Sequence, residues 1–507
     1  MSISRVIFTV TKITLLSRLL SLVSLQVYMS FFGPRNLEIN IYSFALNIPN
    51  IIFNVIGTII ASVVVPIYAG LLIKDKKASA DFINNVITIV CIAVLILIAV
   101  GYFGAPLLAG LTDYSYEYYY FLVYALRVML LVMFFYGLHY VFQGVLQSHN
   151  SFVLPAIVTL PTSIIIIIYV FFLGDIFGVT GLIYATVIGL SMQAILLMPA
   201  VIKKGLNYKP SLNLNNINVK QALLLSPPVL LSVISFQINT IFNSTLATRF
   251  NIVTIMVYVQ NLVLVLILSF VYSITGIYLP KLSKIWESKN INEFKIALEN
   301  VILTIMFFLI PASLGLFFIG FEIINLLAAW GNFDSESASV AAAMFGMYAL
   351  GAVSIGLKEI LDRAFYSQKK TKIPGIVGVL IMAINIIFSI TFVNYLGYYT
   401  MPISFVISTT IGAFSLILAM QKSIGIISKR LITNILKFFV SGIIMAVFII
   451  ISLPWIREIV IGAEFTTRLV RLFIPSLLGV FIYFSCIVLL KIEGIKEISQ
   501  IVFRRKY

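Results

Sequence analysis

The sequence predicts an all-α polytopic membrane protein with about 14 transmembrane helices. Of its 507 residues, 61% are hydrophobic and only 10% are charged, whereas soluble domains carry about 25% charged residues. Apolar runs of the length that a helix needs to cross a bilayer recur along the whole chain. Because these runs are much longer than barrel strands, they favour helices, and they leave no room for a soluble domain of useful size.

The predicted spans follow one another with short connections. They fall near residues 6–32, 39–72, 82–111, 119–147, 152–173, 177–202, 217–248, 251–280, 296–328, 337–366, 374–396, 399–421, 432–454 and 470–490. We expect an N-terminal six-helix lobe over residues 1–210, a C-terminal six-helix lobe over 211–430, and two additional helices with a basic tail over 431–507. The first run lacks a small-residue cleavage site, so we interpret it as a retained span rather than a signal peptide.

Positive charge alternates between the predicted loops. Every second loop except the uncharged one near His149 is rich in Lys and Arg, as in residues 74–77, 203–209 and 369–372, and the tail adds Arg504, Arg505 and Lys506. Because basic loops stay on the cytoplasmic side, both termini are predicted to be cytoplasmic. This rule also accounts for the formal net charge of +16 without nucleic acid as a partner.

Two stretches of the first half recur in the same order in the second half. Residues 66–90 resemble residues 280–305, and residues 146–178 resemble residues 365–397 at a fixed offset. A repeat of six spans keeps its orientation, so the two halves should be related by an axis along the membrane normal. This pattern is typical of a transporter with two lobes and a cavity between them.

Two charges, Lys12 and Arg18, lie inside the first apolar run. A charge at that depth costs about 2.5–3.5 kcal/mol on insertion scales, so it usually faces a bundle interior or a wet cavity. The two positions are six residues apart, which is a rotation of about 600° along a helix, so both can border a wide cavity. Alternatively, Lys12 reaches the near membrane surface, and Arg18 pairs with a backbone carbonyl.

Further polar residues within the spans are candidates for cavity or gate positions. Arg127, in the fourth span, could face the cavity, pair with a neighbour or reach the interface. Near the cytoplasmic end of the tenth span, i,i+4 spacing predicts two ion pairs that could hold an inner gate or a loop. These pairs are Lys358 with Asp362 and Glu359 with Arg363.

Four small polar residues could line a weak cation site, although polar packing between helices is the simpler interpretation. They are Asn239, Asn243, Asn385 and Ser389. The two cysteines, Cys91 and Cys486, are far apart and indicate neither a disulfide framework nor a metal site. The sequence has no recognisable nucleophile–base arrangement and no phosphate-cradling glycine loop, so we expect neither an enzyme nor a bound cofactor.

Several motifs resemble those of one transporter family. They include Ser17-Arg18, Ile48-Pro49-Asn50, Leu146-Gln147-Ser148, the run from Gly356 to Leu361 and the run from Thr371 to Pro374. The chain resembles the MurJ (MviN-type) lipid II flippases of the MOP exporter superfamily over about residues 5–430, most strongly over 279–374.

The resemblance implies a multi-pass carrier of the bacterial cytoplasmic membrane that serves peptidoglycan and cell wall biogenesis and thereby cell shape. Such carriers move an undecaprenyl-diphosphate-linked saccharide from the inner to the outer leaflet by alternating access. The implied partners are this saccharide lipid, membrane lipids and, as further candidates, other wall-synthesis proteins.

The resemblance also assigns candidate substrate-binding residues. Arg18 matches a family cavity arginine, and its planar charged group suits phosphate oxygens. Asn50 follows the proline of the second span, and Asn261 stands where the family commonly has an arginine in the eighth span. Arg18, with Lys12 and Arg127, is therefore the predicted cationic core.

Other functions remain open at the level of sequence. A flippase for another lipid-linked glycan, such as a capsule or teichoic precursor, fits the loss of family arginines. A cation-coupled drug exporter of the same superfamily should need a carboxylate within the membrane, and Glu299, Glu322 and Glu359 all lie near span ends. A non-transporting scaffold for wall synthesis would need no charged cavity, so Arg18 argues against it.

Overall fold

The computed structural model describes residues 3–328, 330–462 and 464–490. Within these ranges the chain is helical and contains no β-strand. The predicted basic residues of the tail, Arg504, Arg505 and Lys506, lie outside the described residues. The predicted all-α class is confirmed.

The described residues form 17 α-helices joined by short connections. They are α1 (Ile3–Phe32), α2 (Leu37–Ile59), α3 (Val65–Lys74), α4 (Lys76–Gly110), α5 (Tyr116–Leu130), α6 (Val132–Ser148), α7 (Val153–Ile157), α8 (Leu160–Lys203), α9 (Ile217–Thr248), α10 (Val253–Val263), α11 (Ser269–Glu287), α12 (Ile291–Leu327), α13 (Ser335–Ser367), α14 (Lys372–Leu396), α15 (Thr400–Ile424), α16 (Lys429–Ile459) and α17 (Phe465–Leu489). One π-helical turn joins α2 to α3, another joins α10 to α11, and a 3₁₀ turn joins α14 to α15.

Eleven helical segments of the described chain are long and apolar enough to cross a membrane. Two of them, Val153–Lys203 and Lys372–Ile424, have 51 and 53 residues, whereas one crossing needs about 20. Helix α9, with 32 residues, is not among the eleven. The chain is therefore a multi-span helical protein, and the count of 14 spans stays a prediction.

Both of these long segments are broken at a glycine. Gly178 has φ 56° and ψ −149°, and Gly397 has φ 56° and ψ −136°, a region that essentially only glycine occupies. Within α8 the Thr162 hydroxyl donates to the carbonyl of Gly189, 27 residues further on, at 2.8 Å. The chain therefore folds back at Gly178 and forms a helical hairpin.

Substitution of Gly178 by alanine should destabilise the protein through backbone strain alone. A Cβ atom at this position would meet no other atom within 4 Å, so we expect a loss of about 1–3 kcal/mol from the disfavoured dihedral angles. Gly375→Ala is the matched control, because its Cβ is equally unobstructed but lies in a regular helix. Thermal unfolding in detergent should show a lower midpoint only for Gly178→Ala.

The positions of residues with positive φ repeat between the two halves of the chain, as the predicted internal repeat requires. Residues with left-handed φ are uncommon, yet eight of those in the described chain form pairs separated by 218 to 220 positions. The pairs are Gly33 with Asn251, Asn150 with Lys369, Gly178 with Gly397, and Gly205 with Gly425. The same turns therefore occur in the same order in both halves.

The chain divides into two compact units, Met1–Tyr258 and Val259–Tyr507. In the first, α1 packs against α7 and α8, α2 packs against α5 and α9, and α6 packs against α8. In the second, α12 packs against α13, α16 and α17, and α13 packs against α15. The lobe boundaries at residues 210 and 430 stay predictions.

Two ion pairs link α12 to α16 within the second unit. Arg457 donates to a carboxylate oxygen of Glu322 at 2.7 Å, and the Glu322 side chain is only 2% exposed. Arg430 lies 3.9 Å from Glu299, whose side chain is also buried. The two glutamates are 23 residues apart, about 35 Å along a helix, so α16 is held to α12 near both of its ends.

Candidate functional site

The first unit contains a polar cavity of about 520 Å³. Its walls come from α1, α6, α7 and the two arms of the α8 hairpin. Arg18 enters from α1, Gln143 and Gln147 enter from α6, and Gln193 enters from α8. The volume falls within the range of about 300–1,000 Å³ that is typical of small-molecule sites.

Helix α1 presents Arg18 to this cavity because of how it packs. The Ser17 hydroxyl lies 2.9 Å from the carbonyl of Ile13 on its own helix and 3.4 Å from the carbonyl of Ala156 on α7. Ser17 and Arg18 both line the cavity. The α1–α7 contact therefore places the arginine at the cavity wall rather than towards lipid.

Arg18 is the single ionisable side chain among the cavity-lining residues, all of which lie in the described part of the chain. The remaining lining side chains are amides, hydroxyls and apolar groups. A guanidinium set among hydroxyl and amide groups can bind phosphate oxygens in a bidentate manner. The cavity can therefore hold an anion flanked by neutral groups that form hydrogen bonds.

Two other predicted cations lie elsewhere in the first unit. Lys12 is exposed on α1 and is not one of the cavity-lining residues. Arg127 on α5 donates to the backbone carbonyl of Tyr102 on α4 at 3.2 Å, and its guanidinium stands 4.4 Å from the centre of that ring. The structure thus brings only Arg18 to the cavity, and Arg127 joins α5 to α4.

Asn50 and Asn261, which the resemblance assigns to substrate binding, lie in different units of the structure. Asn50 on α2 accepts a hydrogen bond from the Tyr136 hydroxyl at 3.2 Å, in the first unit. Asn261 is half-buried on α10 in the second unit, next to Gln260, whose amide donates to the Tyr348 hydroxyl. Neither asparagine lines the cavity described above.

Both ion pairs proposed for the tenth span are present on α13. The Lys358 ammonium lies 2.5 Å from the Asp362 carboxylate, and Arg363 lies 2.8 Å from the Glu359 carboxylate. The Asp362 side chain is only 8% exposed. These contacts form a local electrostatic cluster near the end of α13, and its role as a gate stays a prediction.

The four residues of the predicted weak cation site are divided between the two units. Asn239 and Asn243 lie on α9, and Asn385 and Ser389 lie on α14. Asn385 donates to the Ser404 hydroxyl at 3.1 Å, which is polar packing within the α14–α15 pair. Among the described residues, no group of three or more His, Cys, Asp or Glu side chains could hold a metal ion.

The cavity's amides were missed by the sequence analysis. Gln147 belongs to the Leu146-Gln147-Ser148 motif of the repeat, and neither Gln143 nor Gln193 lies in a recognised motif. Their signal was present in the sequence: His139, Gln143 and Gln147 follow one another at intervals of four in an otherwise apolar helix. Such spacing puts polar groups on one helix face.

The apolar helices, the glycine-broken hairpins and the cationic cavity define a polytopic α-helical membrane protein of the transporter class. A family model described as lipid II flippase MurJ matches residues 30–470. The chain therefore belongs to the lipid II flippase MurJ family, and it is a multi-pass protein of the bacterial inner membrane.

Curated relatives support this assignment. The chain is 28% identical to the probable lipid II flippase MurJ of Bdellovibrio bacteriovorus over 74% of this chain and 72% of that protein. It is 24% identical to the lipid II flippase MurJ of Burkholderia cenocepacia over 83% of this chain and 84% of that protein.

Solved structures share the fold. A lipid II flippase MurJ in an inward closed conformation superimposes with a TM-score of 0.80 at 22% identity, covering 95% of this chain and 98% of that one. An inward-facing multidrug resistance MATE family transporter of the MOP superfamily gives a TM-score of 0.66 at 18% identity, covering 82% and 98%.

Proposed function

We propose that this protein is a flippase that moves lipid II, the undecaprenyl-diphosphate-linked peptidoglycan precursor, from the inner to the outer leaflet by alternating access. The observation that carries the proposal is the family match over residues 30–470. The polar cavity with Arg18 in its wall is consistent with a cargo that bears a diphosphate.

The embedded carboxylates argue against a cation-coupled drug exporter. Such an exporter needs an acidic group within the membrane that can exchange its ion. The three candidates, Glu299, Glu322 and Glu359, all lie near arginines in ion pairs. Glu299 and Glu322 pair with arginines of α16, and Glu359 pairs with an arginine on its own helix. Each carboxylate therefore already has a cationic partner, and the lipid-linked cargo is favoured.

In this proposal both termini are cytoplasmic, as the basic loops indicate. Transport needs no covalent step, so the proposal assigns no catalytic residue to the protein. Membrane lipids surround the spans, and other wall-synthesis proteins are candidate partners because they produce and consume the same lipid.

The proposal is tested by replacing the resident flippase of a depletion strain with this chain. We expect growth to return together with exposure of lipid II on the outer leaflet, because the same cargo would be moved. The Arg18→Ala variant, expressed to the same level, is the matched negative control. Stable insertion without recovery of either growth or exposure would contradict lipid II as the cargo.

A further inference from the structure

Helix α6 carries a polar stripe that the diphosphate does not explain. His139, Gln143 and Gln147 recur at intervals of four in a segment of otherwise apolar and aromatic residues. In a helix, residues at this spacing lie on one face. Polar groups facing lipid are costly, so a stripe of this kind faces either the interior of the helix bundle or a wet cavity.

The stripe leads into the cavity. Gln143 and Gln147 both line it, and Gln193 faces them from α8. Next to them, His139 is only 4% exposed and interacts with the side chain of Gln143 and the backbone of Gln193. We refer to Gln143, Gln147 and Gln193 as the amide cluster.

Part of the amide cluster is held in a fixed orientation. The Gln193 side-chain nitrogen donates to the Thr162 hydroxyl at 3.0 Å, and that hydroxyl donates to the Gly189 carbonyl at 2.8 Å. The chain of hydrogen bonds links the two arms of the α8 hairpin. The Gln193 amide is therefore oriented before a ligand binds, which lowers the entropic cost of binding.

The chemistry of the amide cluster differs from that of Arg18. A primary amide offers both donors and an acceptor but no net charge. It therefore pairs well with neutral hydroxyl and amide groups and cannot neutralise a diphosphate. A site of this kind rejects ligands that leave its buried polar groups unpaired.

We propose that the amide cluster binds the neutral sugar adjacent to the diphosphate and thereby selects the glycan that the protein transports. This inference rests on the proposed function. Arg18 supplies affinity for the charged group common to all such lipids, and the glutamines distinguish among them. A cavity of about 520 Å³ holds a diphosphate with its neighbouring sugar, so selection occurs next to the charged group.

The test uses the full-length double variant Gln143→Met/Gln147→Met in lipid nanodiscs. Methionine keeps the length of glutamine but forms no comparable hydrogen bond. Binding of two probes is measured: lipid II, and undecaprenyl diphosphate, which carries no sugar. We expect affinity for lipid II to fall about ten-fold or more, because two hydrogen bonds are lost, while affinity for undecaprenyl diphosphate stays unchanged.

The control is Gln26→Met, since Gln26 lies on α1 outside the cavity lining and donates to Ser30. Equal weakening of both probes would indicate general damage and overturn the inference, as would unchanged binding of lipid II. If the double variant inserts poorly, Gln147→Met alone gives the same comparison. Failure of the unmodified protein to bind lipid II would contradict the proposed function instead.

Discussion

Arg18→Ala should abolish lipid II transport while protein level and membrane insertion remain normal. Arg18 is the only charge that the described cavity wall offers to a diphosphate. Loss of a buried charge-assisted contact costs about 2 kcal/mol or more, which corresponds to at least a thirty-fold loss of affinity. The measurement is outer-leaflet exposure of lipid II in a depletion strain.

Two further variants isolate the role of the Arg18 side chain. Arg18→Lys keeps the charge but loses the planar fork, so we expect partial activity. Arg127→Ala removes an arginine that bonds to Tyr102, and it should leave transport nearly unchanged. Full transport by Arg18→Ala would refute a role for Arg18 in binding the diphosphate. Loss of transport by a stable Arg127→Ala variant would show that Arg127 contributes to substrate binding.

Arg457→Ala should be among the most destabilising substitutions outside the cavity. It leaves the Glu322 carboxylate, whose side chain is 2% exposed, without its partner at 2.7 Å. Breaking a buried ion pair costs about 3–5 kcal/mol, and partial exposure of the arginine points to the lower end of that range. A lower midpoint of thermal unfolding in detergent is the expected observation.

The second ion pair on the same helices provides the comparison. Arg430 is 3.9 Å from Glu299, so Arg430→Ala should cost less than Arg457→Ala. Replacing both members of the first pair, as in Glu322→Leu/Arg457→Leu, removes the orphaned charge and should recover much of the loss. Equal midpoints for Arg457→Ala and the unmodified protein would show that the pair contributes nothing.

Fold class followed from the sequence because bilayer physics leaves few choices. Apolar runs of this length must be helices, since every backbone polar group in lipid needs an internal partner. The break between the spans 152–173 and 177–202 was also predicted, but the backbone conformation of Gly178 was not, because a glycine in an apolar run does not reveal its dihedral angles. The structure adds the exact position of the turn, which is Gly178 itself.

The site was predicted in part, because the cost of burying a charge in a membrane restricts where an arginine can lie. A lone arginine within a span points to a polar cavity, and Arg18 lies in one. Arg127 satisfied the same rule, yet the backbone of a neighbouring helix provides its partner. The amides of α6 were missed because an uncharged polar side chain costs less to bury than a charge, so its presence within a span is a weaker indication of a cavity. Their four-residue period was the signal to follow.

The paired left-handed turns bear on how such a molecule arose. Turns copied at offsets of 218 to 220 residues are what duplication of a half-length ancestor would leave behind. At the same offsets, the positions in the second half that correspond to Arg18 are residues 236–238, which are Phe, Gln and Ile. The turns are thus doubled while the cation is not, so exchanging the two halves would preserve the turns but move the anion-binding charge from the first half of the chain to the second.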